Sequence, residues 1–577
     1  MKQSPVAAQR PEWAEAFFSA RNRIRRWIQT SIKQQSLIPY RGGHDEGSFT
    51  GSWFGFHQLF GMPEVLDFAR FLRDGFAEWS REQMLHGFYR EGEAHHQTEI
   101  FTFFLCRLWR VAPEDETAAL ILDAAEHIGN WVEGIPAWYD HSEHRFLSWR
   151  IGTERTGGPR SRGYEVPDHF RLIQIALIAW EISRDERYLD LCRGYADRWA
   201  RAILDAPADE PPTVIRSGES AADHDEVMYA IGAHHHGDSA LDRVEPHVPA
   251  GTVDVMLDLF EMTGEARYAD AAGRLCRALL PALGDPYSNP PGALLWRYRT
   301  VTGDTSLDEP ARDRLHAGIE ETLVGLDGML AFLQQTRISG YAMTAARLYA
   351  SLADNPIAAD RLEERAERYR TLVGERPIAG ARAETPCMVI ETLSKLPIAG
   401  IGKRSDMLRW AWENELGGLR PTAALPPPSL MLGWQIAADE TLAAAALRTV
   451  SDRIGLAASA LRDGRHHGCG GSTIGAVASG HGRDGGYGNV TAAFLPLAGG
   501  MTRRLCQEEA VVRFRYGEGE HLPEEVASLV RLLPGAGAEV RLWNDADAPL
   551  TIGMALRQTP WRQVVLPPGK VAVVELP

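Results

Sequence analysis

Apolar residues return every three or four positions from about residue 12 to residue 455, and two kinds of helix alternate under that period. One kind is charged on its outer face: PEVLDFARFLRDGFAEW (63–79), ETAALILDAAEHIGNWV (116–132), ERYLDLCRGYADRWARAI (186–203) and ARYADAAGRLCRALL (266–280). The other is apolar on more sides and follows a polar or Gly-containing loop: TEIFTFFLCRLW (98–109), FRLIQIALIAWE (170–181), TVDVMLDLFEMTG (252–264) and YAMTAARLYASLA (341–353). A helix apolar most of the way round must be packed on most sides. The alternation therefore predicts an inner ring of helices inside an outer one.

Repetition supports this. The phrase Ser183-Arg184-Asp185-Glu186-Arg187-Tyr188-Leu189 recurs as Thr263-Gly264-Glu265-Ala266-Arg267-Tyr268-Ala269, each time between an inner helix and its outer partner. Repeated helical hairpins that cannot bury both faces alone stack or close into a ring. The chain reads as a mainly α protein, an (α/α) toroid of six hairpins, with an open helical solenoid as the alternative. From about residue 507 the period changes to two, in VVRFRY, EVRLWN, PLTIGMALR and RQVVLPPGKVAVVEL, which predicts a small antiparallel β-sandwich. The expected organisation is a toroid over 1–505, with a long rim insertion at 204–250, and a C-terminal β-sandwich domain over 506–577. PTAALPPPSL (421–430) reads as a connector.

Lys+Arg 61 against Asp+Glu 77 gives a formal charge of −16. An acidic surface repels phosphate backbones and anionic lipid, so neither nucleic acid nor membrane is the expected partner, although a locally basic pocket for an acidic sugar stays compatible. No stretch approaches the ~18 uninterrupted apolar residues of a spanning helix. Arg10, Glu12 and Glu15 interrupt the N-terminal stretch, so no signal-peptide core is expected, and the expected location is the cytoplasm. The 6 cysteines are sparse, unlike a disulfide framework. Cys106, Cys192 and Cys276 fall in apolar helical patterns and are expected as buried thiols.

Loops leading into inner helices of a ring face one cavity. Four are polar: 43–46, 93–99 (Glu-Ala-His-His-Gln-Thr-Glu), 164–171 (Tyr-Glu-Val-Pro-Asp-His-Phe-Arg) and 465–471. Carboxylates, imidazoles and an Arg at one mouth suit acid–base work and the holding of sugar hydroxyls or a uronate. Trp53, Phe54, Phe56 and Tyr487 are candidate stacking platforms. For each residue alone, a helix cap or a satisfied buried polar group is the competing explanation. Asp223-His224-Asp225-Glu226 and His234-His235-His236 lack a metal-ligand spacing, and GHGRDGGYGN (480–489) lacks the Lys-Ser/Thr of a phosphate loop. Glu384-Thr385-Pro386-Cys387 and His466-His467-Gly468-Cys469 are more specific. Glu384, Cys387, Cys469 and His467 form an acceptable zinc set, in which one cysteine of lowered pKa would act as nucleophile; two unrelated core cysteines are the alternative.

The order of these segments resembles the bacterial β-L-arabinofuranosidase family over roughly 95–505. Four stretches carry the likeness: Glu165 and Arg171-Leu172-Ile173-Gln174 followed by YLDLCRGYADRWA; VDVMLDLFEMTGEARYADAAGRL; Gly340-Tyr341-Ala342-Met343 through Asp354; and Glu384-Thr385-Pro386-Cys387 followed by SDMLRWAWENELGGL, with HHGCGGSTIGAVAS where the family has a double cysteine. The resemblance implies a six-hairpin glycosidase-like (α/α)6 barrel with β-sandwich domains, a zinc-held thiolate nucleophile, and Glu375 standing in for the general acid/base glutamate. Two pocket histidines of the family fall on Arg171 and Tyr341. Pro386 lengthens the Glu-x-Cys ligand motif, and Cys469 alone stands at the double-cysteine place.

A glycoside hydrolase acting on an oligosaccharide or polysaccharide is the expected function, with Glu165, Glu375, Glu384 and Cys469 as catalytic candidates. Arg171, Tyr341, His95, His96, His169, His467 and Tyr487 are the candidate substrate-binding groups. A lyase performing β-elimination on a uronate is the alternative, with Tyr341, His467 or Tyr487 as base and Arg171 and Asn489 neutralising the carboxylate. A non-catalytic sugar-binding protein is the third reading. The sequence leaves a homo-oligomer open.

Overall fold

The structure, a computed structural model, describes residues 9–36, 50–208, 210–217, 246–284, 291–336, 358–373, 427–460, 490–535 and 537–577, with the single positions Gly47, Val244, Tyr349 and Leu352. In chain order the first helices are α1 (Glu12–Gln35), α2 (Gly51–Phe60), α3 (Pro63–Gln83), α4 (Ala94–Ile100), α5 (Cys106–Val111), α6 (Asp115–Ile128), α7 (His169–Ser183) and α8 (Glu186–Asp205). There follow α9 (Thr252–Thr263), α10 (Ala266–Leu279), α11 (Pro291–Thr302), α12 (Asp308–Thr336), α13 (Ala359–Val373), α14 (Pro427–Ala437), α15 (Glu440–Ala460) and α16 (Leu495–Gly499). A π turn at Phe101–Leu105 joins α4 to α5, and another at Val490–Phe494 leads into α16.

The two helix classes part as their patterns require. On α7 every residue from His169 to Ala179 is buried, whereas α8 buries Tyr188, Leu191, Cys192, Tyr195, Ala196, Trp199, Ala200 and Ile203, a single stripe. Packing runs from α2 to α5, from α4 to α7, then through α9, α11 and α14 to the π turn at 490–494, which returns to α2. On the outside, α1 lies along α15, and α8 along α10. The predicted helix over 341–353, except Tyr349 and Leu352, and the segment 405–419 lie outside the described residues, as does most of the 204–250 insertion. The expected connector at 421–430 is a helix start from Pro427 onward, because proline's fixed φ suits the first turn, where its missing N–H costs nothing.

The repeated phrase marks a joint. Arg184 (φ 57°) and Gly264 (φ 72°) take the left-handed conformation that ends the inner helix. Ser183 Oγ then accepts from the Asp185 amide at 3.1 Å, and Thr263 Oγ1 from the Glu265 amide at 3.2 Å. Tyr188 donates its hydroxyl to Glu126 of α6 at 2.6 Å, and Tyr268 donates to Asp197 of α8 at 2.6 Å, each beside an arginine on the same carboxylate. Each outer helix thus clasps the one before it. The turn recurs at Thr302-Gly303-Asp304, where Thr302 Oγ1 accepts from the Asp304 amide at 3.1 Å.

Strands begin earlier than the alternation announces: β1 (Gly92–Glu93), β2 (Tyr139–Asp140), β3 (Arg145–Phe146), β4 (Arg150–Ile151), β5 (Tyr164–Glu165) and β6 (Ile215–Arg216) are two-residue strands between the helices. β7 (Met501–Arg504) and β8 (Gln507–Ala510) form a hairpin among the inner helices. Arg503 reaches Asp254 at 2.9 Å, the Leu505 amide donates to Asp258 at 3.1 Å, and Cys506 donates to Gln174 at 3.2 Å. The expected boundary at 505/506 falls inside this hairpin. Beyond it, β9 (Val512–Arg515), β12 (Leu550–Leu556) and β13 (Arg562–Leu566) form one antiparallel sheet; β10 (Val526–Leu532), β11 (Ala538–Asn544) and β14 (Val571–Leu576) form the other. β10 does not alternate: it packs against α16 and α1, and its outer edge is covered by α14, where Val530 O accepts from Trp434 Nε1 (3.1 Å) and Gln435 Nε2 (2.9 Å). Among the described residues no helix is long and apolar enough to cross a membrane.

Candidate active site

Two of the four polar loops meet. The short strand β1 (Gly92–Glu93) pairs with β4 (Arg150–Ile151) and delivers the chain into α4. Gln97 braces this entry, accepting from the Tyr89 amide at 2.7 Å and donating to Ile151 O at 3.1 Å. His95 and Glu99, four positions apart, therefore share one face of α4. His95 Nε2 lies 3.0 Å from Glu99 Oε1, with side chains 5% and 0% exposed. From the head of α7, Asp168 Oδ1 stands 3.6 Å from His95 Nδ1. Arg171, one turn on, lies 3.8 Å from Glu99 Oε1 and donates to His95 O at 3.3 Å, its guanidinium over the Phe103 ring.

Asp168 occupies the N-cap position of α7 yet makes no side-chain cap hydrogen bond. It faces the imidazole instead. Burial is the largest influence on His95 and, with the Arg171 cation, holds its pKa below the ordinary value against the pull of Glu99 and Asp168. A neutral imidazole has one N–H, which serves one of its two carboxylate neighbours. The other contact is a hydrogen bond only if that carboxyl carries a proton. The three side chains lie in a line, His95 Nε2 at hydrogen-bond distance from Glu99 and Nδ1 facing Asp168 at 3.6 Å.

His96 adds a further carboxylate, Glu93, to the cluster. Its Nδ1 is 3.0 Å from Glu93 Oε2, and Arg150 holds Glu93 from behind at 3.2 Å. Burial works against the His96 cation, but the hydrogen bond to Glu93 and the charges of Glu99 and Glu93 lift its pKa above the ordinary value. His96 is 28% exposed, the more open edge of the cluster. His95, His96 and Glu99 offer three donor atoms within 4.8 Å of one another, the set of described residues that can gather round a metal ion. As the atoms stand, His95 and Glu99 are at hydrogen-bond distance and Arg171 puts a cation beside the carboxylate, which favours a proton over a metal there.

The other expected residues fall elsewhere. Glu165, in β5 (Tyr164–Glu165), is 1% exposed and receives Arg198 Nε at 2.7 Å. Burial raises its pKa to about 7, and the charges acting on it are Arg198 and Arg145, none from the His95 cluster. His169 is wholly buried against Phe146; its Nδ1 accepts from the Val166 amide at 3.3 Å and its Nε2 donates to Ser148 O at 2.9 Å. Both ring nitrogens are thus engaged by the protein, and the residue ties the loop to α7. Trp53, Phe54 and Phe56 are core residues with no exposed surface, Trp53 meeting Trp27 edge-on at 5.4 Å, so they form no sugar platform. Glu375, Glu384, Cys387, Cys469, His467, Tyr341, Tyr487 and Asn489 lie outside the described residues, and with them the expected zinc set.

Asp168, Glu99 and Glu93 are the members that sequence reasoning passed over. A signal was present for Glu99: a carboxylate four residues after a histidine, inside a run apolar enough to be buried on every side. The π turn at Phe101–Leu105 follows directly, an arrangement frequent at functional sites.

No family model matches the chain, and no curated protein matches it. Among solved structures it is similar to an unsaturated glucuronyl hydrolase from Bacillus sp. GL1 (16% identity, 52% of this chain and 80% of that one, TM-score 0.35). It is also similar to an unsaturated glucuronyl hydrolase specific for heparin (10% identity, 51% and 78% covered, TM-score 0.36) and to a D-mannose isomerase (11% identity, 51% and 84% covered, TM-score 0.35). Likeness this loose carries no argument, and the resemblance to β-L-arabinofuranosidases stays one of sequence phrasing.

Proposed function

We propose that the protein is a carbohydrate-active enzyme, a glycoside hydrolase whose acid–base centre is the line Asp168–His95–Glu99 at the head of an (α/α)6 toroid. One observation carries this reading: a buried imidazole set between two carboxylates, 3.0 Å from Glu99 and 3.6 Å from Asp168. Glycosidic cleavage requires one group to protonate the leaving oxygen and another to activate water or attack the sugar. Asp168 is the end of the relay nearer the surface and is assigned the proton exchange with substrate. Glu99 is the other proton store: it gives a proton to His95 Nε2 as His95 Nδ1 gives one to Asp168, and takes one back in the reverse step, while Arg171 holds Glu99 in place. His96 and Glu93, at the open edge, are assigned to sugar hydroxyls.

Elimination on a uronate is the second reading, since the same relay would serve as a base. It is the weaker one. The cation that elimination needs at the substrate carboxylate, Arg171, is already committed to Glu99 and the His95 carbonyl. The two readings differ in product: hydrolysis adds the elements of water, while elimination yields a 4,5-unsaturated sugar absorbing in the ultraviolet. Incubation with oligosaccharides of neutral and uronic sugars, followed by mass and absorbance of the products, tests the assignment. Water-added fragments support it. An unsaturated product, or intact substrate throughout, overturns it.

A further inference from the structure

A cavity of about 660 Å³ opens at the other end of the α4–α5 rod, where α2 and α5 finish against β8, β9 and the turn before β10. His95 begins this rod and Arg110, in its last turn, reaches the cavity, so the space is separate from the site above. Its volume lies within the range of small-molecule sites.

The lining carries Arg110, Arg504 and Arg513 against Glu509 and Glu520, and the partners just beyond it, Glu181, Glu261 and Arg515, bring the charges to four of each sign. Arg110 pairs with Glu509 and with Glu181 at 3.4 Å. Arg504 stands 3.7 Å from Glu509, and Arg513 is 2.7 Å from Glu520. An incoming anion would have to displace a carboxylate already in place, and an incoming cation an arginine. Hydrogen-bonding capacity nevertheless remains. A guanidinium has five N–H donors and a carboxylate about four acceptor sites, more than these pairs use. Glu509 and Glu520 keep 36% and 46% of their side-chain surface exposed, and Gln558 adds an exposed amide. His57 Nδ1 lies 2.7 Å from Met62 O; burial, the largest influence, lowers its pKa. The neutral ring donates from Nδ1, which leaves Nε2 of this lining residue as an acceptor.

We propose that this cavity is a second ligand site, for a neutral polyhydroxylated molecule of mono- or disaccharide size. Hydroxyl groups donate to Glu509 and Glu520 and accept from Arg504 and Arg513 without disturbing the charge balance, and each does both from a single atom. Phe514 supplies one apolar wall. The proposal does not depend on the acid–base reading of the other site.

The test is saturation-transfer NMR and titration calorimetry on the full-length protein with methyl glucoside, methyl galactoside, methyl xyloside, maltose and cellobiose, with sodium sulfate and glucuronate as charged comparisons. Glu520→Gln and Gln558→Ala alter exposed lining residues and should leave the fold intact; Asp168→Asn alters only the other site. The expected result is saturable binding of at least one neutral glycoside, weakened about tenfold or more by both cavity variants and unchanged in Asp168→Asn. Absence of binding by every neutral probe overturns the proposal. So does binding indifferent to the cavity variants, or a site filled by sulfate or glucuronate in preference to the glycosides. If the cavity binds sugar while no glycan is turned over, the acid–base reading fails and this one stands.

Discussion

Glu99 Oε1 is shared by His95 Nε2 at 3.0 Å and Arg171 Nη1 at 3.8 Å, so one fully buried carboxylate joins α4 to α7. A charge in that position is tolerated only with its partners.

Arg171→Met should therefore cost stability. It removes the fixed cation and leaves Glu99 with the imidazole, at a cost of about 3 kcal/mol, the lower part of the range for breaking buried pairs. Urea unfolding with an unchanged m-value would report it. A variant as stable as wild type would mean that Arg171 does not hold Glu99.

Glu165 predicts a pH dependence separate from catalysis. Its pKa rises from 4.5 unfolded to about 7 folded, because burial disfavours the anion. A raised folded value means the proton binds the native state more tightly. The resulting stabilisation is full below pH 4.5, declines as pH rises and is gone above about 7, on the order of 3 kcal/mol across the window. Glu165→Gln should flatten that part of the stability profile when Tm is followed between pH 5 and 8. An unchanged slope would place the titration elsewhere.

The clasps between outer helices should be equivalent. Tyr188→Phe and Tyr268→Phe each remove a 2.6 Å hydrogen bond to a carboxylate that an arginine also holds. Each is expected to cost about 1 kcal/mol, below the range for fully buried charged hydrogen bonds because both sites are partly open to water. The two losses should add in the double variant, since they join different helix pairs. Markedly unequal effects in chemical denaturation would show that the repeat in sequence is not a repeat in energetics.

Much of the helical layering was legible because it is periodic. The continuous apolar run of α7 and the single stripe of α8 follow from which faces must be covered, and the turns at 183–185 and 263–265 repeat the same side-chain device. The hairpin at Met501–Ala510 was not legible. Its strands carry Arg503, half-buried, and Glu508, buried, which are held there by Asp254 and Arg107 on distant helices, and no local period encodes such partners. The candidate site was half legible. The loops at 93–99 and 164–171 were singled out as polar approaches to inner helices, and His95, His96 and Arg171 lie where they meet. Glu165 and His169 belong to the same loop but turn toward α8 and Ser148, because side-chain direction along a short turn depends on packing rather than spacing. Asp168 was hidden by its ordinary role, since an aspartate before a helix reads as a cap.

The central claim is tested most directly by the kinetics of Asp168→Asn and Glu99→Gln on 4-nitrophenyl glycosides and reducing-end-labelled oligosaccharides, with folding checked by circular dichroism. Wild type should turn over at least one of these, and each variant should lose about 10²–10⁴ in kcat with the fold retained, the scale of a general acid–base group. Wild-type turnover by both variants, or a folded wild type inert on every glycan, would contradict it.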